Sequence, residues 1–147
     1  MLVQDFLLAE NVFVGLNAPS KEQLLRQLSE KAGKTTSVSP QAIAKALFDR
    51  EALGSTGIGG GIALPHAGVA GLSSVFCLVA RLARPMDFEA VDDEPVDIVI
   101  LLLTPASSRS EALNVLSCIA RCFREDDTVR RLRAAKTADE VYAILTG

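Results

Sequence analysis

Residues Arg50 to Gly68 read R-E-A-L-G-S-T-G-I-G-G-G-I-A-L-P-H-A-G, and six of the chain's ten glycines fall among them. Glycine gives up more backbone freedom on folding than any other residue, so a cluster of them points to tight turns, positive φ angles or backbone brought close to a partner. The short apolar run Ile62-Ala63-Leu64 that follows suits a buried strand. Pro65 lacks an N–H and fixes its own φ, which suits the end of that strand. Next comes His66, the only histidine of the chain. Local chemistry therefore describes a turn-rich loop that delivers one imidazole to a strand end, with Arg50, Ser55 and Thr56 upstream of it.

Working outward, Ser39-Pro40 opens a helix with proline at its favoured first position. Ile43 and Leu47 face inward, and the helix runs to about Ala52, which puts Arg50 in its last turn. An earlier helix starts at Ser20-Lys21-Glu22-Gln23, which has the capping-box form. It continues through Leu24, Leu25, Leu28 and Ala32 and is expected to stop at Gly33. Asn11 to Val14 reads as a first strand. Beyond His66, Ala67 to Gly71 is expected to be turn, Ser74 to Leu82 a buried strand, and Met86 to Phe88 a short extended piece. Val96 to Leu103, V-D-I-V-I-L-L-L, is apolar nearly throughout and is expected to be a central strand. A helix over Arg109 to Phe123 places Leu113, Leu116, Ala120 and Phe123 on one stripe. Asp126 to Ala134 is a shorter helix, and Thr137-Ala138-Asp139-Glu140 opens a last one with a second capping box. No repeat or linker divides the chain, so residues 1–147 are read as one α/β domain with a sheet covered on both faces.

The 147 residues suffice for one sizeable core and are few for two. Hydrophobic residues make up 49% and charged residues 22%, an ordinary globular balance. With 15 basic and 18 acidic side chains the net charge is −3, which argues against nucleic acid as a partner. No apolar run reaches the roughly 20 residues of a membrane-spanning helix, and the N-terminus lacks the basic start of a signal peptide. A cytoplasmic protein without membrane insertion is expected. The three cysteines need no disulfide framework.

The pattern R-E-x-L-G-S-T-G-I-G-x-G-I-A-x-P-H closely resembles the active-site signature of the enzyme IIA proteins of the bacterial phosphotransferase system (PTS). The resemblance is to the fructose, mannitol and nitrogen-regulatory branch, and most of all to its nitrogen-regulatory members. It implies a layered α/β/α fold with a mixed central sheet flanked by helices. It also implies that His66 accepts a phosphoryl group, that Arg50 assists the transfer, and that Ser55, Thr56, Gly57, Gly59 and Gly61 form the phosphate-binding loop. The implied donor is a phosphohistidine on an HPr-type carrier, and the acceptor or target is an enzyme IIB domain or a regulated protein. No metal or organic cofactor is implied. The chain departs from the family at two places. Ala112 stands where many relatives carry a second histidine, and Ala67-Gly68 stands where nitrogen-branch relatives often carry Gly-Lys. The run R-R-L-R-A-A, Arg130 to Ala135, and the free-standing length favour the nitrogen-type relay. A sugar-transport component and a binding module that no longer turns over phosphate are the alternatives.

The residues themselves suit phosphoryl transfer. Imidazole has a pKa of about 6.5 as a free side chain, so it is a competent nucleophile near neutrality. The attacking nitrogen must be unprotonated while the other is held as N–H. Arginine recognises phosphate oxygens with a planar, permanently charged fork, and backbone N–H groups of the glycine turn Gly57–Gly61 can form an anion nest. Other chemistries fit less well. The stretch satisfies neither G-x-G-x-x-G nor the Gly-Lys-Ser/Thr of a P-loop, and Ser55 has no G-x-S-x-G elbow. Cys118 and Cys122 lie one helical turn apart but lack further ligands for zinc; with Cys77 they read as small core residues. Asp92, Asp93 and Glu94 read as a solvated turn, and Arg130, Arg131 and Arg133 as a solvated face.

Overall fold

The computed structural model describes residues 1–147. A six-stranded mixed sheet is built from β1 (Leu7–Leu16), β2 (Gly57–Gly59), β3 (Ile62–Ala63), β4 (His66–Val69), β5 (Phe76–Met86) and β6 (Val96–Pro105). The helices are α1 (Lys21–Thr35), α2 (Pro40–Ala52), α3 (Arg109–Phe123), α4 (Asp126–Ala134) and α5 (Ala138–Thr146), with one 3₁₀ turn at Val3–Asp5. Strand order is β1-β5-β6-β3-β2, and β4 also pairs with β6. β1 runs parallel to β5, β5 antiparallel to β6, and both β3 and β4 parallel to β6.

β6 is central because it is apolar on both faces. Val99, Leu101 and Leu103 join one core cluster with α1 and α2, through Leu24, Leu25, Leu28, Ile43 and Leu47. Ile98, Ile100 and Leu102 join the other with α3, α4 and α5, through Val115, Ile119, Leu132, Val141 and Leu145. Strand geometry sends alternate side chains to opposite faces, so this one continuous run gives a three-layer α/β/α domain. Ser20, Ser39 and Thr137 each accept an N–H from the first turn of the helix they precede, as their positions predict. No helix is long and apolar enough to cross a membrane.

Several local expectations need correction. Gly33 lies inside α1, which continues to Thr35. A Cβ there would sit 2.6 Å from Pro40 Cγ, so the glycine lets α2 start against α1. Ala67 to Val69, expected as turn, instead continue from His66 as β4, because β6 offers them a free edge at Leu102 to Pro105. On α3 the buried stripe is Val115, Cys118 and Ile119, whereas Leu113 is 65% exposed and Ala120 also faces solvent. Leu116 and Phe123 flank the buried stripe as expected. β1 and β5 are longer than expected, and β5 takes in Met86.

Candidate functional site

β3 and β4 lie along the same edge of β6 as two pieces of one interrupted strand. Ile62 and Ala63 pair with Ile98 and Val99, and His66 to Val69 pair with Leu102 to Pro105. Leu64 and Pro65 form the break, and the carbonyl of Pro65 still accepts the N–H of Leu102 at 3.0 Å. His66 is thus the first residue after the break, half-buried, with a rigid strand on its C-terminal side.

Its ring is oriented by a single contact. Nδ1 lies 2.8 Å from the carbonyl oxygen of Leu64. A carbonyl can only accept, so Nδ1 carries the proton and Nε2 keeps its lone pair. The backbone two residues upstream therefore selects the neutral tautomer in which Nε2 carries the free lone pair.

The upstream loop is fastened to this strand. Leu64 N–H donates to the carbonyl of Thr56 at 2.9 Å. Thr56, 3% exposed, donates its own N–H to both carboxylate oxygens of Glu51 at 3.2 and 3.3 Å, and its hydroxyl to Glu51 Oε1. Ser55 Oγ donates to Phe88 O at 2.9 Å and accepts the N–H of Gly57 at 3.0 Å. Both hydroxyls are thus engaged in holding the loop. Arg50, in the last turn of α2, donates from Nη1 to Gly54 O at 2.8 Å and forms no ion pair. It makes no hydrogen bond to His66. Its remaining N–H donors are free for an incoming anion.

The glycine turn is placed elsewhere. β2 and β3 form a hairpin, with Gly59 opposite Ile62. Its tip is beside Asp97 and Ile98, both of which donate to Gly61 O. On β6, His66 is in register with Leu102, four residues further on, or about 13 Å at ~3.3 Å per residue. Gly59 and Gly61 are therefore not brought to the imidazole, and Gly57, opposite Ala63, lies between. The tip is also internally satisfied. Asp92 Oδ2 accepts Gly60 N–H at 3.0 Å, and Arg133 donates to Gly60 O at 2.6 Å while bridging Asp97. Gly59, Gly60 and Gly61 all have positive φ, and a Cβ on Gly61 would strike the guanidinium of Arg133. These glycines shape a tight hairpin.

Four residues organise this region without a role assigned from sequence: Glu51 and Lys21, and also Asp92 and Arg133, which read as solvated turn and face but instead hold the hairpin tip. The hydrogen bonds from Gly60 and Glu94 N–H hold the Asp92 carboxyl below the usual carboxylate range. Lys21 Nζ lies 2.8 Å from Glu51 Oε2. Only the Glu of R-E-x-L-G carried a sequence signal, by standing inside the quoted pattern.

Comparison with known proteins bears on the family and the fold. Residues 5–147 match the family described as phosphoenolpyruvate-dependent sugar phosphotransferase system, EIIA 2. The chain belongs to this EIIA family. Within it, the relatives place the chain in the nitrogen-regulatory branch. It is 39% identical over 145 residues to a nitrogen regulatory protein of Bradyrhizobium diazoefficiens, covering 99% of this chain and 95% of that protein. It is 40% identical over 133 residues to the nitrogen regulatory protein of Escherichia coli, covering 89% and 81%. The crystal structure of the nitrogen regulatory protein IIA-Ntr from Neisseria meningitidis superposes with a TM-score of 0.93 at 33% identity, covering 98% of this EIIA chain and 99% of that one. The E. coli mannitol IIA structure is more distant, with a TM-score of 0.78 and 26% identity over 95% and 98% of the two chains.

Proposed function

We propose that this EIIA chain is a phosphocarrier that accepts a phosphoryl group on Nε2 of His66 from a phosphohistidine of an HPr-type protein, and that it works in a nitrogen-type regulatory relay. The observation that carries the reading is the Leu64 carbonyl on Nδ1, which leaves Nε2 as the free nucleophile on a half-buried ring. In the transfer, Nε2 forms a bond to phosphorus as the bond to the donor imidazole breaks. The donor nitrogen leaves with the bonding pair, and the proton stays on Nδ1, hydrogen-bonded to the Leu64 carbonyl. Charge spreads over three phosphoryl oxygens, so positioned donors supply most of the catalysis. Arg50 has unpaired guanidinium donors for that purpose, and Ser55, Thr56 and Gly57 hold the segment beside His66. Gly59 and Gly61 act one step removed, by closing the hairpin that fixes β3. The nitrogen-type relay is supported by the names of the most similar relatives, and a protein partner that reads the phosphorylation state is then the target.

The test is intact mass after incubation with phosphoenolpyruvate, enzyme I and an HPr-type carrier, beside a His66→Ala control. Gain of one phosphoryl group, absent in the control, is the expected result. No gain in folded protein, while a related IIA accepts phosphate from the same carriers, refutes the proposal and favours a binding module.

A further inference from the structure

A buried ion pair stands behind the Thr56 loop, and His66 chemistry as described above does not use it. The side chain of Glu51 is 6% exposed and that of Lys21 is 17% exposed, with 2.8 Å between Nζ and Oε2. Lys21 is the first residue of α1. A cation there opposes the positive end of the helix dipole, so local electrostatics do not account for it. What it faces does account for it: Glu51, the Phe88 ring at 4.5 Å from its centroid, and at 3.7 Å the exposed Glu89. Burying a charge pair rarely gains stability over an apolar pair of the same volume. Such a pair is informative where its remaining hydrogen bonds go to something functional.

Here they do. Glu51 accepts both donors of Thr56, the backbone N–H and the hydroxyl. Thr56 O accepts Leu64 N–H, and Leu64 O accepts the His66 Nδ1 proton. Two residues, Thr56 and Leu64, thus link a fixed carboxylate to the imidazole in series. We infer that Glu51, with Lys21 as its counter-ion, is a positioning residue for His66: by anchoring Thr56 it holds the Leu64 carbonyl that fixes the imidazole tautomer. For its effect on transfer the inference rests on the phosphocarrier reading, but the tautomer itself can be observed without any phosphoryl donor.

Because His66 is the only histidine, one imidazole contributes to a long-range ¹H–¹⁵N spectrum of the whole protein. The wild type is expected to show Nδ1 protonated and Nε2 unprotonated at pH 8. Glu51→Ala should move both nitrogens toward the averaged signature of two exchanging tautomers. It should also lower the single-turnover rate of phosphoryl acceptance at saturating carrier by roughly 10- to 100-fold, the range that slight misplacement of a reacting group produces. The carrier concentration for half-maximal rate should change far less, since both side chains are largely withdrawn from the surface. The Lys21→Met, Glu51→Met double variant separates positioning from stability. An apolar pair is well tolerated in a buried site, so the double variant should fold while lacking an acceptor for Thr56. A role in positioning predicts the same loss of tautomer and rate in the folded double variant. A merely structural role predicts wild-type values for both. An unchanged imidazole spectrum in either folded variant overturns the inference, even if His66 proves to accept no phosphate.

Discussion

Replacing Gly57 by alanine separates two accounts of the glycine-rich loop. As a member of an anion nest, Gly57 would contribute its N–H, which alanine keeps. Its φ is not in the left-handed region, so alanine faces no backbone strain there. As a close-approach residue it cannot accept a side chain: the added Cβ would lie 2.7 Å from Ala90 Cβ and 2.8 Å from Ala90 Cα. Ordinary carbon contacts are about 3.5–4.0 Å, so each contact is short by roughly an ångström. One of the two struck atoms is backbone, and the Gly57 carbonyl also accepts Val91 N–H at 3.1 Å. Neither Gly57 on β2 nor the connection at Ala90 can move apart without straining that bond. Overpacking of this kind costs about 1–3 kcal/mol, or about 3–9 °C in Tm for a domain of this size. Urea denaturation should show a lower midpoint at an unchanged m value. Gly57→Ala at wild-type stability would refute the close-approach account.

Further outcomes follow from other contacts. Arg50→Lys keeps the charge but loses the planar fork; phosphoryl acceptance measured by single turnover should slow roughly tenfold, as expected for loss of one charge-assisted hydrogen bond of ~1.4 kcal/mol. Asp92 has a lowered folded-state pKa because of the Gly60 and Glu94 N–H groups. Its stabilising contribution is therefore present above the unfolded carboxyl value of about 3.9 and is lost as pH falls through the lower folded value. A ¹³C titration should place the Asp92 midpoint below 3.9, roughly the ordinary value. Burial, reinforced by Cys118, raises the Cys77 thiol, and burial with Cys118 and Glu125 raises Cys122. At pH 8 a thiol-reactive disulfide should therefore leave Cys77 unmodified and label Cys122 more slowly than free cysteine. Unfolding in guanidinium should release all three thiols.

The parts of this molecule legible in sequence were those set by local chemistry. Ser20, Ser39 and Thr137 announced their helices through capping, and the run from Val96 to Leu103 announced a strand covered on both faces. The quoted signature around Arg50 and His66 led to the family. What remained hidden depends on contacts between distant segments. Ala67-Gly68-Val69 has too few side chains to signal a strand, and it is one only because β6 leaves an edge for it. On α3, two helical stripes were available, and the larger residues of one were misleading. The sheet packs on Val115, Cys118 and Ile119 instead, leaving Leu113 in solvent. Gly33 reads as a helix stop until Pro40 is seen against it. In the site, the family resemblance implied that the glycine loop would meet His66, yet hairpin pairing carries Gly59 and Gly61 toward Asp97. The ion pair of Lys21 and Glu51 joins two helices, and nothing in either segment's periodicity marks it.

Nε2 of His66 is the proposed phosphoryl acceptor, and the most direct measurement is the linkage isomer formed there. Protein labelled with ¹⁵N at the imidazole is phosphorylated through the HPr-type carrier, and its ³¹P and ¹⁵N spectra are recorded at alkaline pH, where phosphohistidine survives. Coupling of phosphorus to Nε2, with Nδ1 still protonated, is the predicted result. Phosphorus on Nδ1, or on a residue other than His66, would contradict the account.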